Sequence, residues 1–285
     1  MPSIAELNIY PIKSCAGIRL STAVLTDTGL SAGGVHDREW MLVDEQGLFL
    51  TQREYPLMAT IRPELGNSHL LVHAPNMPTL QLALQMPAVQ ASSATVQVTI
   101  WEENFSAVDA GDAAAAWFSQ ALGVSCRLVR SSPQTRRFAN QKWTANKLVP
   151  TRFSDGFPIL LTGMASLDDL NERLQQQGRD ALPMNRFRPN VVLDEMEAFE
   201  EDYAACFEIG TDIQLRPVKP CPRCPIPSID QLTGTVGPDP LDILQTYRAN
   251  PLVDGGITFG MNVILDSGTG HTLRLGDEVN MQIAF

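Results

Sequence analysis

The sequence lacks several features that would each place it in a definite class of protein. No apolar run approaches the ~20 residues that a membrane-spanning helix needs. The N-terminus has neither the basic start nor the apolar stretch of a secretory signal peptide. The pattern Gly-x-Gly-x-x-Gly of dinucleotide-binding folds is also missing. We therefore expect a cytoplasmic protein without membrane association and without a nicotinamide-binding fold.

Cysteine and lysine are both scarce. The five cysteines form an odd number in a chain of 285 residues, which does not fit a disulfide framework. Lysine supplies only 4 of the 21 basic residues, so the other 17 are arginines. Arginine grips phosphates and carboxylates with a planar, bidentate fork. The arginine excess either marks a site for a small anion or reflects codon usage, and composition alone does not separate the two.

The charge balance and the hydrophobic content limit the class further. Acidic residues outnumber basic ones by 32 to 21, which gives a formal net charge of −11. This balance argues against nucleic acid or an anionic membrane as a partner, because both need a basic surface. A hydrophobic content of 44% excludes a disordered chain and provides core material for one large domain or two ordinary ones.

Strand patterns dominate the chain. Val96, Val98 and Ile100 alternate with polar residues, which is the period of a half-buried strand. Asp-Glu-Gln-Gly at residues 44–47 predicts the turn of a hairpin. Strands and turns at this frequency favour a barrel or a sandwich, with helices in the minority. The fold class that we predict is therefore α+β and mainly β.

Three helices are predicted from signals at their ends. Asp112 is expected to cap the first helix, and Gly123 ends it. Ser166 begins a pattern that resembles a capping box, and Gly178 ends this second helix. Asp239, which is followed by proline, caps the third.

The sharpest local feature is Cys-Pro-Arg-Cys at residues 221–224. A zinc site would need four ligands, and the remaining cysteines and histidines are scattered. A redox pair of the thioredoxin type needs a helix after the motif, whereas Pro225 and Pro227 argue against one. Two readings stay open beside these: buried structural cysteines, or a single thiolate that holds a soft transition metal while Arg223 favours its ionised form.

Four other segments carry charged or polar residues at turns. Each alone is more often a solvated loop or a structural ion pair than a functional site. They are Tyr-Pro-Ile-Lys-Ser-Cys at 10–15, Asp-Arg at 37–38, Phe-Ser-Asp-Gly-Phe-Pro at 153–158 and Asn-Arg-Phe-Arg-Pro-Asn at 185–190.

Taken together and in order, these segments resemble the MOSC family. The segment at 10–15 resembles the opening of MOSC N-terminal domains. The segments at 153–158, 187–191 and 218–224 resemble the MOSC domain, and the Phe-Gly-Met-Asn run at 259–262 continues the pattern. The nearest resemblance is to the mitochondrial amidoxime-reducing components and their bacterial counterparts. It implies a β-barrel-like N-terminal domain over residues 1–122 and a MOSC β-barrel with a few helices over residues 123–285.

The resemblance implies a molybdenum cofactor, Mo-molybdopterin, and assigns residues to it. Cys224 corresponds to the metal ligand, and Asp155 to an aspartate near the metal that donates a proton, orients a metal-bound water or only shapes a turn. The cofactor-binding positions implied are Lys13, Ser14, Arg38, Arg188, Asn190, Pro222, Arg223 and Asn262. Arg136, Arg137 and Arg186 are possible residues of the rim. A family-level association with pyridoxal phosphate binding accompanies these assignments.

Two departures from the family pattern bear on function. Pro222 stands where the family usually has serine, so a hydroxyl contact to the cofactor is lost. Some bacterial relatives carry an iron–sulfur domain, whereas the cysteines of this chain leave no set for such a cluster. Electrons are therefore expected from a separate protein of ferredoxin, flavodoxin or cytochrome type.

The activity implied by the resemblance is reduction of N-hydroxylated small molecules, such as hydroxylamines and amidoximes. Two other functions stay open. Because MOSC domains also end molybdenum cofactor sulfurases, a non-catalytic carrier of cofactor or sulfur is the first. A zinc or purely structural protein is the second.

Overall fold

The computed structural model describes residues 1–85, 95–132 and 135–284. Strands dominate this part of the chain, which confirms the prediction of a mainly β fold. The strands are β1 Ser3–Ile9, β2 Ile18–Leu20, β3 Thr22–Thr26, β4 Gly29–Ala32, β5 Val35–His36, β6 Trp40–Val43, β7 Arg62–Leu65, β8 His69–His73, β9 Leu80–Ala83, β10 Thr95–Ile100, β11 Glu103–Asp109, β12 Arg127–Arg130, β13 Arg137–Phe138, β14 Pro150–Thr151, β15 Ile159–Gly163, β16 Val191–Asp194, β17 Ala204–Ile209, β18 Ile213–Pro222, β19 Ala249–Asn250, β20 Gly256–Ser267, β21 Thr272–Arg274 and β22 Val279–Ile283.

The largest sheet joins the two ends of the chain. Its strand order is β2-β1-β16-β15-β20-β18-β17-β22, and β19 pairs with β20 at the side. Smaller sheets follow the orders β10-β11-β12-β6, β21-β3-β4-β5 and β7-β8-β9, and β13 pairs with β14. Within the described ranges each of these sheets is open, so hydrogen bonding closes none of them into a barrel.

Sheet pairing crosses the predicted domain division. Strand β1 pairs antiparallel with β16, with Leu7 opposite Val191, and β21 pairs antiparallel with β3, with Leu273 opposite Ala23. The main core accordingly contains buried residues from both halves of the chain. The division at residue 122 stays a prediction, and this pairing brings the segment after β1 beside residues far away in sequence.

The helices are α1 Asp112–Leu122, α2 Met164–Gln176 and α3 Leu241–Leu244, and none in the described ranges combines the length and apolarity needed to cross a bilayer. Their predicted caps were partly wrong. Gly111 caps α1, while Asp112 bonds to Arg127 across 2.8 Å. Ser166 lies inside α2, which begins two residues earlier, and its hydroxyl donates to the buried carboxylate of Glu201 at 2.8 Å. Each of these side chains therefore bonds to a partner elsewhere in the chain and does not cap its helix.

A second, smaller core supports the segment before β16. Phe187 and Phe259 are fully buried, and their rings stack with centroids 4.0 Å apart. Phe187 immediately precedes Arg188, and Phe259 lies on β20 three residues before Asn262. Burial of this aromatic pair therefore fixes the backbone from which both polar side chains project.

Candidate functional site

The structure brings all ten predicted site residues to one cavity of about 250 Å³. They come from the turn after β1, the turn before β6, the loops before β15 and β16, the end of β18 with the two residues after it, and the middle of β20. The residues are Lys13, Ser14, Arg38, Asp155, Arg188, Asn190, Pro222, Arg223, Cys224 and Asn262. We call this cavity the cleft.

Three residues of the cleft have a left-handed backbone conformation. The φ angles are 65° at Ser14, 48° at Arg38 and 58° at Arg188, and none of these residues is glycine. Such a conformation costs of order 1–3 kcal/mol per residue and persists only where the surroundings enforce it. Hydrogen bonds do so at Arg38, whose backbone N–H donates to the Tyr10 carbonyl at 2.8 Å, while the Phe153 N–H donates to the Arg38 carbonyl at 3.0 Å.

Lys13 and Asp155 form an ion pair at the cleft. Lys13 Nζ donates to Asp155 Oδ1 at 2.5 Å and to the Phe153 carbonyl at 2.9 Å. Its ammonium also lies 5.1 Å from the centre of the Phe49 ring. The Lys13 side chain is 5% exposed, whereas the Asp155 side chain is 73% exposed. The buried Lys13 ammonium therefore has an exposed partner, Asp155, which solvent or a ligand can displace.

The pKa of each partner follows from this environment. Burial lowers the pKa of Lys13, and the Asp155 carboxylate partly opposes that shift. Desolvation raises the pKa of Asp155, but the neighbouring Lys13 ammonium outweighs it and lowers the value to about 2. Asp155 is therefore ionised at neutral pH. Of the two chemical roles that the resemblance implies for it, orienting a water fits this state, and donating a proton does not.

Arg38 is held by two side chains. Its Nη1 donates to Asp37 Oδ2 at 2.5 Å and to Asn190 Oδ1 at 3.2 Å. The Asn190 oxygen also accepts from the Leu160 N–H, and its Nδ2 donates to the Asn8 carbonyl at 3.1 Å. Since Asn190 is only 1% exposed and bonded on both sides, its geometry favours positioning Arg38 over direct contact with a ligand.

Arg188 is a buried cation without a carboxylate partner in the described part of the chain. It is 7% exposed, and its Nη1 donates to Gln231 Oε1 at 3.3 Å. Burial lowers the pKa of this guanidinium to about 10. An unpaired buried charge is costly, so the arrangement favours an anion that binds in the cleft and neutralises it.

In the segment 221–224, the guanidinium of Arg223 contacts a different cysteine from the one that the sequence predicts. Arg223 Nη1 donates to the sulfur of Cys221 at 3.2 Å, and Nη2 donates to the Phe187 carbonyl at 2.8 Å. The sequence predicts Arg223 beside the metal-binding thiolate of Cys224, whereas the sulfur that Arg223 contacts is that of Cys221. Cys224 is a free, half-buried thiol at the cleft.

Two other readings of this motif, the redox pair and the zinc site, receive no support from the geometry. A turn of three residues, Ile226–Ser228, follows Cys224, as the prolines predicted, so no long helix presents its N-terminus to the thiol. Nowhere in ranges 1–85, 95–132 and 135–284 do three or more His, Cys, Asp or Glu side chains form a group suited to a metal ion. A site built on one thiolate remains compatible with the structure.

Lys219 is a lining residue that the sequence did not indicate, and the three arginines expected at the rim are not among the lining residues. Lys219 lies within the quoted motif, lines the cleft and places its Nζ 5.4 Å from the Trp143 ring centre. Two features of the sequence could have indicated this role, namely the charge of Lys219 and its place two residues before Cys221. By contrast, Arg137 pairs with Glu103 and Arg186 with Asp230, and neither lines the cleft. Arg136 does not line it either.

Comparison with known proteins accords with the arrangement of these segments. Residues 1–125 match the MOSC N-terminal beta barrel domain, and residues 149–280 match the MOSC domain. Mitochondrial amidoxime reducing component 2 of Rattus norvegicus is 33% identical over 293 residues, which cover 97% of this chain and 82% of that protein. The chain belongs to the MOSC family.

Two further relatives show the range of this MOSC family. Mitochondrial amidoxime reducing component 2 of Homo sapiens is 34% identical over 256 residues, covering 86% of this chain and 72% of that protein. Molybdenum cofactor sulfurase of Danio rerio is 29% identical and covers 99% of this chain but 34% of that protein. The family thus relates this MOSC chain to proteins associated with the molybdenum cofactor.

The lining of the cleft fits an anionic cofactor. Asp155 is the one carboxylate among the described residues that line it. Five cations line it as well, namely Lys13, Arg38, Arg188, Lys219 and Arg223. The Ser154 hydroxyl and the Arg223 Nε are buried polar atoms without a hydrogen-bond partner in the described part of the chain. Unpartnered buried donors beside surplus positive charge suit a phosphate-bearing ligand, and a thiolate at Cys224 suits molybdenum.

Proposed function

We propose that this MOSC protein is an oxidoreductase that binds the molybdenum cofactor and reduces N-hydroxylated small molecules with electrons from a separate redox protein. The observation that carries the proposal is the meeting of a free thiol, Cys224, with five cationic side chains in one cleft. Relatives named amidoxime reducing components supply the substrate class.

The chain's own residues have three roles in this proposal, namely phosphate binding, metal binding and proton supply. Arg38, Arg188 and Arg223 bind the phosphate of the cofactor, because guanidinium forks donate charge-assisted hydrogen bonds to phosphate oxygens. Cys224 offers its sulfur to the metal. When bound, the molybdenum cofactor supplies two-electron redox chemistry that no side chain here can provide.

Proton supply falls to the ion pair at the cleft. Conversion of an N–OH group to N–H and water consumes two electrons and two protons. Lys13 holds a proton at Nζ, and the ionised Asp155 accepts a hydrogen bond from it at 2.5 Å. We assign Lys13 as the residue that keeps a proton at the cleft and Asp155 as the residue that orients a water for its transfer.

A carrier function is the second candidate. Relatedness to a molybdenum cofactor sulfurase is the observation that favours it. A carrier would need the same cationic lining and thiol to hold the cofactor, without a substrate. The two functions therefore differ in turnover and not in cofactor content.

Turnover of an amidoxime separates these functions. The full chain, produced in a host that makes the cofactor, is supplied with chemically reduced viologen and an aryl amidoxime, and the amidine product is measured. We expect turnover by the wild type and loss of turnover in Cys224→Ser. Cys206→Ser is the matched control, because Cys206 is an equally half-buried free thiol that does not line the cleft. Bound molybdenum without turnover would favour the carrier.

A further inference from the structure

Tyr10 connects the two buried arginines of the cleft. The Arg38 Cζ lies 4.4 Å from the centre of the Tyr10 ring, and the Arg188 Cζ lies 4.3 Å from the same centre. The ring is 3% exposed, and its hydroxyl donates to the Pro189 carbonyl at 3.1 Å. Two guanidiniums from segments 150 residues apart in sequence thus share one aromatic side chain.

We infer that Tyr10 is a positioning residue that sets the spacing and orientation of Arg38 and Arg188 for binding a phosphate group. This inference rests on the proposed function, and it adds a residue that contacts neither the metal nor the substrate. Cation–π attraction holds each guanidinium against the ring, and it is strongest where water is excluded. The shared ring also lowers the cost of keeping two like charges together before an anion arrives.

The backbone around Tyr10 ties the same residues together. The Tyr10 N–H donates to Asp37 Oδ1 at 2.8 Å, and Asp37 Oδ2 accepts from Arg38 Nη1 at 2.5 Å. On the other side, Gln231 accepts from Arg188 and is itself bonded to Gln52. Arg38 is therefore held by Asp37 and Asn190, Arg188 is held by Gln231, and the two arginines have the Tyr10 ring in common.

Gly17 supplies an independent test of the ring's position. A Cβ built at Gly17 would lie 2.5 Å from Cε1 and 2.9 Å from Cδ1 of the Tyr10 ring. Gly17 is exposed, and its φ lies outside the left-handed region, so alanine is compatible with the backbone there. Gly17→Ala therefore displaces the ring without removing any group from the cleft.

Phosphate binding to the cofactor-free full chain tests the inference. The probe is inorganic phosphate, titrated by calorimetry at a temperature well below the melting transition of every variant. We expect Tyr10→Leu and Gly17→Ala to weaken phosphate binding about tenfold, because both guanidiniums lose the ring that holds them in position for the anion. Tyr10→Phe keeps the ring and loses only the bond to Pro189, so its Kd should stay within about twofold of the wild type.

The outcomes distinguish this inference from the proposed function. Tyr10→Leu with a lower melting temperature but a wild-type Kd for phosphate would show a merely structural role and overturn the inference alone. A wild-type chain that binds no phosphate would overturn the anion site, and the inference with it. Recovery of wild-type affinity in Tyr10→Phe, together with weak binding in Tyr10→Leu, is the result that supports positioning by the ring.

Discussion

The Nζ of Lys13 lies 2.5 Å from Oδ1 of Asp155, and the two partners face different surroundings. The lysine is buried, while the aspartate stands at the mouth of the cleft with 73% of its side chain exposed. A buried ammonium with a displaceable partner can exchange that partner for an anionic ligand. The pair therefore links the electrostatics of the protein to the chemistry that we propose for the cleft.

Lys13→Met should raise the pKa of Asp155 from about 2 towards its ordinary value of 3.8, because the ammonium that stabilises the carboxylate is gone. Titration of the carboxyl carbon by NMR measures this shift. The depressed pKa contributes stability that is present above about pH 4 and is lost as the pH falls towards 2. That dependence should be weaker in the variant. A pKa of Asp155 that stays near 2 would contradict the pairing.

Arg188→Met should stabilise the cofactor-free protein by about 1–2 kcal/mol while weakening phosphate binding. The reason is that a buried charge without a carboxylate partner is replaced by an apolar side chain of similar length. Urea unfolding and phosphate titration measure the two effects. The diagnostic result is a gain in the free energy of unfolding together with a loss of phosphate affinity, since an anion site keeps a buried cation that destabilises the cofactor-free protein.

Arg186→Met is the matched control for this prediction. Arg186 lies two residues earlier, pairs with Asp230 at 2.9 Å and does not line the cleft. Its loss should cost about 0.5–1 kcal/mol, because Asp230 loses a partly exposed partner. Phosphate affinity should not change. Equal losses of phosphate affinity in the two variants would contradict the specific role of Arg188.

Gly260→Ala should be strongly destabilising. The φ of Gly260 is 79°, and an added Cβ would lie 2.5 Å from Thr162 Cγ2 and 2.7 Å from the Leu161 carbonyl oxygen on β15. Gly210 also has positive φ, at 60°, but an added Cβ there meets nothing within 4 Å. Gly210→Ala should therefore lower the free energy of unfolding by about 1 kcal/mol. Gly260→Ala should lower it by about 1–3 kcal/mol more. Comparable melting temperatures would argue against close contact between β15 and β20.

The residues of the cleft were predictable from sequence, whereas their partners were not. The resemblance to the MOSC family assigned Lys13, Arg38, Arg188 and Cys224 to the site, because that resemblance rests on short local motifs in a fixed order. The same motifs contain Tyr10 and Lys219, which the sequence did not single out. A ring that packs between distant arginines leaves no local pattern to recognise.

Long-range contacts account for the errors in local structure as well. Asp112 and Ser166 both occur in good capping patterns, but Arg127 and Glu201 bind them in the folded chain. The pairing of Arg223 with Cys221 rather than Cys224 is likewise set by tertiary geometry. Composition and periodicity predicted the mainly β class correctly, because that class depends on patterns repeated along the whole chain.

The molybdenum content of the purified protein shows whether this chain holds the cofactor through Cys224. The wild type, Cys224→Ser and Cys221→Ser are purified from a host that makes the cofactor, and metal per chain is measured by mass spectrometry alongside released pterin. We predict about one molybdenum per chain in the wild type and in Cys221→Ser, and a large loss of molybdenum in Cys224→Ser. Absence of molybdenum and pterin from the wild type, or unchanged molybdenum in Cys224→Ser, would contradict this prediction.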